Sequence, residues 1–455
     1  MNLEGRRADF PALRERPDGT SPVYLDSACM SLVPQAVLDA MGEYYRDFPG
    51  CGGRSLHRFA EEVGRRYEAA RAGCARRLGR SDPHTIVFLR NSTEAINLVA
   101  QGLDWKRGER VLISDREHNS NLVVWQRLAA ERGIRIEILP LADSGTFDPD
   151  ALEERLATGV RLVSLFHTSN LDGQSLPVRE ITERAHDHGA LVLFDGCQAA
   201  PHAPLELERV GIDFYAVSGH KMLGPTGTGI LASAPGPLAS LRPLLLGGET
   251  VEWSTLTAHE LRPPPYRFEA GLQNYAGVIG MGAALEYLAQ LDPNEMRAHE
   301  VALNRKFTEA MAGEPRVHVL GPTRPEDRPS VAAFTLDGVD PHDAALFLDE
   351  GHNVMVRSGR HCVHSWYAER GIPGNVRASF YLYNRAKDVD ALVAGVRELL
   401  ERIPFSGTSA GTTASASRSG SGRRRAAGST GAAARSARPR HRGGRGRGAY
   451  AGGSG

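Results

Sequence analysis

No run of about 18 apolar residues occurs anywhere in this chain, so no membrane-spanning helix is expected. Cysteine is scarce. The five present are Cys29, Cys51, Cys74, Cys197 and Cys362, an odd number with no C-x-x-C pair. That pattern argues against a disulfide framework and against a structural metal site. The stretch from Met1 to Pro17 is charged throughout and lacks the apolar core of a secretory signal, so a reduced, cytoplasmic setting is expected. Acidic residues are missing from Ser406 to Gly455, which carries ten arginines. The balance of 54 basic and 54 acidic residues in the whole chain therefore hides a body, residues 1–405, with 44 basic against 54 acidic side chains. An acidic body argues against a generally basic nucleic-acid-binding protein, and a nucleic-acid partner is not expected. What the chain does have is 41% hydrophobic residues over 455 positions, enough for two or three domains with sizeable cores.

Large apolar residues are also nearly absent from residue 406 onward, which reads SGTSAGTTASASRSGSGRRRAAGST and later RPRHRGGRGRGAY. Such a segment cannot bury enough surface to offset its chain entropy, and a disordered tail is expected. Its Arg-Gly tract is of a kind that binds RNA non-specifically, the alternative being a solvated extension. Between residues 80 and 235, by contrast, short apolar runs alternate with amphipathic stretches. Candidate strands are Thr85–Leu89, Val111–Ser114, Ile136–Leu139, Arg161–Phe166, Leu191–Phe194 and Asp213–Val217, with helical patterns between them. Unbroken apolar strands separated by helices predict an α/β fold with a parallel sheet covered on both faces. Tyr275–Leu291 suits a long helix leading away from that core, followed by a mixed α+β stretch. The expected organisation is an N-terminal arm (1–20), a large α/β domain (21–275), a smaller α+β domain (276–405) and the tail (406–455).

In an open parallel sheet, ligands bind beyond the C-terminal strand ends. Asp213–Val217 delivers Ser218, Gly219, His220 and Lys221 there, before the Gly/Pro-rich turn Gly224-Pro225-Thr226-Gly227-Thr228-Gly229. Leu191–Phe194 delivers Asp195 and then Gln198; an acid at a buried strand end is costly unless it meets a cation or donor. Thr85–Leu89 leads through Arg90 and Asn91 to Ser92 and Thr93, hydroxyls opening a helix whose free N–H groups suit an anion. Val111–Ser114 leads to His118, and Arg161–Phe166 to Asn170. A phosphate seat, a carboxylate, an imidazole, an amide and an amine are the needs of pyridoxal 5′-phosphate. The lysine forms a Schiff base with its aldehyde, and the carboxylate keeps its pyridine nitrogen protonated.

These residues also carry a resemblance. The chain resembles the class V aminotransferase superfamily of fold-type I pyridoxal-phosphate enzymes, and within it the cysteine desulfurases that supply sulfur for iron–sulfur cluster assembly. The likeness runs from about Tyr24 to Leu400. Tyr24-Leu25-Asp26-Ser27-Ala28 resembles the opening strand and turn, and Asn91-Ser92-Thr93-Glu94-Ala95-Ile96-Asn97 the phosphate-binding helix start, with Asn91 where the family usually has Gly. Glu117-His118-Asn119-Ser120-Asn121 implies that His118 stacks on the cofactor ring. Phe194-Asp195-Gly196-Cys197-Gln198-Ala199 implies Asp195 and Gln198 as ring partners, and Ser218-Gly219-His220-Lys221 implies Lys221 as the Schiff-base lysine with Ser218 and His220 on the phosphate. The family's Phe-Glu-Ala-Gly-Thr-Pro, whose threonine reaches the neighbouring subunit's phosphate, is here Phe268-Glu269-Ala270-Gly271-Leu272-Gln273. A homodimer is implied, without that hydroxyl.

The second signal is Arg357-Ser358-Gly359-Arg360-His361-Cys362-Val363-His364. Cys362 lies in a polar, basic loop, and nearby positive charge favours a reactive thiol, whereas Cys29 and Cys74 read as small buried cysteines. The loop resembles the desulfurase motif whose cysteine takes sulfur from the substrate. Arg377, in Asn375-Val376-Arg377-Ala378-Ser379, matches the arginine that pairs with the substrate carboxylate, with Arg357 and Asn170 as helpers. The implied reaction converts L-cysteine to L-alanine, leaves a persulfide on Cys362 and passes its sulfur to an acceptor protein or thiol. Selenocysteine fits the same reading, and Lys221 and His118 stand as alternative proton carriers. A C–S lyase, an epimerase or an aminotransferase of the same superfamily, and an RNA-associated protein working through the tail, are the rival readings.

Overall fold

The computed structural model describes residues 3–403 other than 18 and 143–146, so the expected disordered tail lies outside the described residues. The chain enters through a short strand, β1 (Val23–Tyr24), and two helices, α1 (Gln35–Asp47) and α2 (Arg58–Leu78). Gly79 closes α2 in the left-handed region, φ +65°, where a Cβ would meet the Leu205 carbonyl oxygen at 2.3 Å.

Seven strands then build the main sheet: β2 (Ile86–Leu89), β3 (Arg110–Ser114), β4 (Arg135–Leu139), β5 (Val160–Phe166), β6 (Leu191–Asp195), β7 (Phe214–Ser218) and β8 (Gly229–Ser233). Their order is β2-β8-β7-β6-β5-β3-β4. The expected strands are all present, within one or two residues of their expected ends. The sheet is mixed, however. β8 pairs antiparallel with both β2 and β7 and was not anticipated, because Gly229-Ile230-Leu231-Ala232-Ser233 follows the glycine-rich turn too closely to stand out as a separate run. Helices α3 (Ser92–Gly102), α4 (Val123–Arg132), α5 (Pro149–Leu156) and α6 (Val178–Asp187) cover the sheet between its strands.

Period-two alternation explains why the strands read as continuous apolar runs. Ile86, Phe88, Leu112, Val163, Leu165, Val192, Phe194, Tyr215 and Val217 pack into a core on one face. Val87, Val111, Ile113, Leu162, Leu193, Phe214 and Ala216 pack into a second core on the other. Burying both faces fixes the register, since a one-residue slip would exchange the two cores.

Two short helices, α7 (Leu207–Val210) and α8 (Pro235–Ser240), and an exposed hairpin of β9 (Val251–Ser254) and β10 (His259–Leu261) precede α9 (Tyr275–Ala289). α9 does not lead away from the core, as its sequence suggested. It is apolar nearly all round, and Val278, Ile279, Met281, Leu285 and Leu288 lie in the first core beside Val37 of α1 and Val63 and Tyr67 of α2. Without α1 and α2 as partners, an all-apolar helix reads as a connector.

After α10 (Pro293–Met311) comes a four-stranded antiparallel sheet, order β11-β12-β15-β14, made of β11 (Val317–Val319), β12 (Val331–Leu336), β14 (Arg357–Gly359) and β15 (Asn375–Ser379). β13 (Val354–Met355) instead pairs in parallel with β1. Helices α11 (Pro341–His352), α12 (His364–Arg370) and α13 (Ala386–Arg402) complete this part. Val23 and Leu25, from the start of the chain, share its core with Phe307, Phe334, Val376 and Leu392. The N-terminal segment thus reaches from one sheet to the other. Among the described residues no helix is long and apolar enough to cross a membrane.

Candidate active site

The C-terminal ends of β2, β3, β5, β6 and β7 converge as the parallel topology requires. One cleft of about 230 Å³ is lined by Ser92, Thr93, His118, Asn170, Ser218, His220, Lys221, Arg357, Cys362 and Arg377. Ten of the twelve residues singled out from the sequence therefore meet in one place. Asp195 and Gln198 do not line it: Asp195 ends β6 and is buried, and Gln198 borders a small adjoining void that Lys221 also touches.

At the α3 end, Asn91 caps the helix, its Oδ1 accepting from the Glu94 N–H at 3.0 Å. The Ser92 N–H donates to Ser218 Oγ (2.9 Å), which donates to Ser92 Oγ (2.9 Å), so β7 and α3 are tied at their adjoining tips. Thr93 Oγ1 shares a proton with Ser120 Oγ at 2.7 Å, which joins α3 to the loop carrying His118. That loop is anchored by Glu117, whose carboxyl accepts from Ser114 Oγ (2.6 Å), Asn121 Nδ2 (2.8 Å) and the Phe166 N–H (3.2 Å). Burial pushes the Glu117 carboxyl up to about 7.

His118 Nδ1 accepts from the Ser120 N–H at 3.1 Å. A neutral imidazole with Nδ1 accepting carries its proton on Nε2. Burial and the nearby Lys221 lower its pKa to about 4, so the ring is neutral at physiological pH. His220 is lowered to about 4 for the same two reasons. Lys221 closes a 3₁₀ turn, Gly219–Lys221, directly after β7. Its amine makes no hydrogen bond or ion pair among the described residues, which leaves it available for covalent attachment. The Asp195 carboxylate accepts from the Cys197 N–H at 3.1 Å, and Gln198 Nε2 donates to the Ala28 carbonyl at 2.7 Å.

On the opposite wall, Arg377 is 2% exposed. Its Nη1 donates to the Asn170 carbonyl (2.7 Å) and its Nη2 to Asp26 Oδ1 (3.4 Å), while its buried Nε has no acceptor. Cys362 and the preceding His361 both adopt positive φ, +60° and +46°. For residues with a Cβ this costs on the order of 1–3 kcal/mol each and persists only where the surroundings impose it. Here the surroundings do. The Cys362 carbonyl accepts from the Asn119 N–H (2.7 Å), the His361 carbonyl accepts from Asn170 Nδ2 (2.7 Å), and the His361 ring is held by Asn375.

One cysteine was misread. Cys29 is not buried but lines the same cleft, with Arg357 Nη1 donating to its Sγ at 3.3 Å. Ala28, Ser120 and His361 also line the cleft and were not singled out. Only their place in the quoted motifs pointed to them. An anion seat of neutral donors, a free amine, a buried carboxylate and a guanidinium with an unsatisfied N–H around one cleft fit pyridoxal 5′-phosphate together with an amino-acid carboxylate.

The chain is similar to known proteins over most of its length. Residues 23–392 match the family model described as aminotransferase class-V. The chain is 40% identical over 402 residues to a probable cysteine desulfurase of Halobacterium salinarum, covering 88% of this chain and 96% of that one. The crystal structure of the cysteine desulfurase CsdA from Escherichia coli superposes with a TM-score of 0.81 at 37% identity, over 89% of this chain and 100% of that one. A structure of a C-DES mutant with glycine covalently linked to its pyridoxal-phosphate cofactor superposes with a TM-score of 0.73 at 25% identity, over 85% of this chain and 98% of that one.

Proposed function

Since the chain belongs to the aminotransferase class-V family, we propose that it is a pyridoxal 5′-phosphate-dependent cysteine desulfurase, with Lys221 as the attachment point and Cys362 as the sulfur acceptor. Ser92, Thr93, Ser218 and His220 would hold the phosphate, Asp195 the ring nitrogen, and His118 and Gln198 the ring. Bound there, the cofactor supplies an aldehyde for the substrate amine and an electron sink for its Cα.

The residues of the chain do the rest. Arg377 takes the carboxylate of L-cysteine with its uncommitted N–H groups, with Arg357 and Asn170 beside it. Because the His118 Nδ1 lone pair already accepts from Ser120 and Nε2 carries the proton, His118 donates but does not accept. That favours the Lys221 amine as the base that takes the α-proton. The Cys362 sulfur then attacks the sulfur of the substrate: the Cβ–S bond breaks, an S–S bond forms, and a proton returned to carbon gives L-alanine. Overall, L-cysteine and the Cys362 thiol yield L-alanine and the Cys362 persulfide, which an acceptor thiol discharges. Selenocysteine would fit the same cleft. The chain acts as a cytoplasmic homodimer in this reading, supported by the exposed Leu245, Leu246, Trp253, Leu256 and Leu272, apolar side chains that a second copy would cover.

The observation that carries the proposal is the shared cleft of an unpaired Lys221 amine and the clamped Cys362 loop. Purified protein incubated with L-cysteine and a thiol reductant should form alanine and sulfide in equal amounts. Cys362→Ala should lose at least ~90% of that turnover with cofactor absorbance intact; unchanged turnover would reject the persulfide step. Pyruvate and ammonia in place of alanine would identify a C–S lyase instead.

A further inference from the structure

Several donors at the phosphate end of the cleft are already engaged with one another. Ser218 spends its proton on Ser92 Oγ, and the Ser92 N–H is spent on Ser218. Thr93 and Ser120 consume one proton between them. His220, being neutral, offers one N–H. Of the two arginines of the cleft, Arg357 gives one N–H to Cys29, and Arg377 gives one to Asn170 and one to Asp26. A phosphate dianion accepts several hydrogen bonds, so an uncommitted amide beside the His220 N–H would add to its donors.

Asn91 lines the same cleft. Its orientation is fixed by chemistry, because the atom that accepts from the Glu94 N–H must be oxygen. Its backbone is fixed as well: a Cβ on Gly229 would lie 2.4 Å from the Asn91 Cα, so β8 and the turn before α3 are in direct contact. With Oδ1 turned to the helix, Nδ2 is left with two N–H donors that bond nothing among the described residues. We propose that Asn91 is a phosphate-binding residue of this chain, its Nδ2 supplying donors to the cofactor phosphate while its Oδ1 caps α3. The inference rests on the pyridoxal-phosphate reading above and adds a residue to it.

Asn91→Asp separates the two roles. Aspartate caps a helix as well as asparagine does, but it replaces the free donors by a carboxylate oxygen facing an anion. Apoprotein titrated with pyridoxal 5′-phosphate by absorbance should show a Kd raised tenfold or more in N91D. Its Kd for pyridoxal, which lacks the phosphate, should stay within about twofold, and the Tm of the apoprotein should be unchanged. Should N91D not fold, N91S, which also caps, should weaken the phosphorylated cofactor alone by a smaller factor. Equal affinity of the native and N91D proteins for pyridoxal 5′-phosphate, or an equal loss for both ligands, would overturn the proposal and leave Asn91 a cap only. Native protein that takes up no pyridoxal 5′-phosphate at all would instead sink the underlying reading.

Discussion

Arg377 offers the sharpest test of how the substrate is held. Its guanidinium is almost fully buried and lines the cleft, its Nη1 and Nη2 donate to Asn170 and Asp26, and its Nε–H has no acceptor. Arg377→Lys keeps a positive charge but loses the planar fork, so one ammonium must choose between the Asn170 carbonyl, Asp26 and the incoming carboxylate. A hydrogen bond to a charged group contributes about 1.5–3 kcal/mol, and each 1.4 kcal/mol is about tenfold. The kcat/KM for L-cysteine should therefore fall by between ~10-fold and ~100-fold, mostly through KM, as the loss is of binding to a carboxylate that does not react. The assay is alanine formation across a range of L-cysteine concentrations, with cofactor content measured on the same samples. Cysteamine, which keeps the amine and thiol but lacks the carboxylate, supplies the control, and its inhibition constant should stay within about twofold. A kcat/KM for R377K within about threefold of native would refute the assignment. An equal weakening of cysteamine would mean that Arg377 shapes the cleft without touching the carboxylate.

Two further outcomes follow from the same geometry. Borohydride treatment of cofactor-loaded protein should leave a pyridoxyl adduct on the Lys221 peptide, and K221A should carry none; an adduct mapped to another lysine would remove the attachment point. Burial lowers His118, His167 and His220 to about 4 and His361 to about 3, below the unfolded value of about 6.5. For such groups the unfolded chain binds the extra proton, so their contribution to stability is present above about pH 6.5 and is lost as pH falls toward 4. Down to pH 4.5 the loss is at most about 3 kcal/mol per ring, with the buried Glu117, raised to about 7, working in the opposite direction. Urea midpoints should therefore fall between pH 7.5 and pH 4.5, and an unchanged midpoint would contradict the burial argument.

The main sheet was legible because each strand buries both faces, which forces an unbroken apolar run that no solvent-exposed segment would tolerate. The strand ends were legible for the converse reason. Asp195, His118 and Lys221 sit where apolar residues would be expected to continue, and polar residues at that position need a purpose. What stayed hidden depended on partners far away in sequence. β8 is defined by pairing with β2, more than 130 residues earlier, and α9 is buried only because α1 and α2 lie against it. Cys29 looked like a small core residue because its environment is made by Arg357, more than 300 positions downstream. Distant pairings of this kind leave no local period to read.

The Cys362 loop joins these two kinds of information. Its basic composition marked the thiol as reactive, but composition says nothing of why the thiol stays presented to the cleft. The backbone at His361 and Cys362 is held in an unfavourable region, and a loop left to itself would relax out of it. Three separate elements prevent that: Asn119 from the loop after β3, Asn170 from the loop after β5, and Asn375 at the start of β15. The first two belong to the main sheet and the third to the smaller one. The loop is therefore fixed where the two sheets meet, and its presented geometry depends on both being in place. The same Asn170 also offers its carbonyl to Arg377, so the thiol loop and the guanidinium proposed for the substrate are positioned by one residue. A change at Asn170 would disturb both at once, which is why the spacing between substrate carboxylate and acceptor sulfur is set by the scaffold and not by either side chain alone.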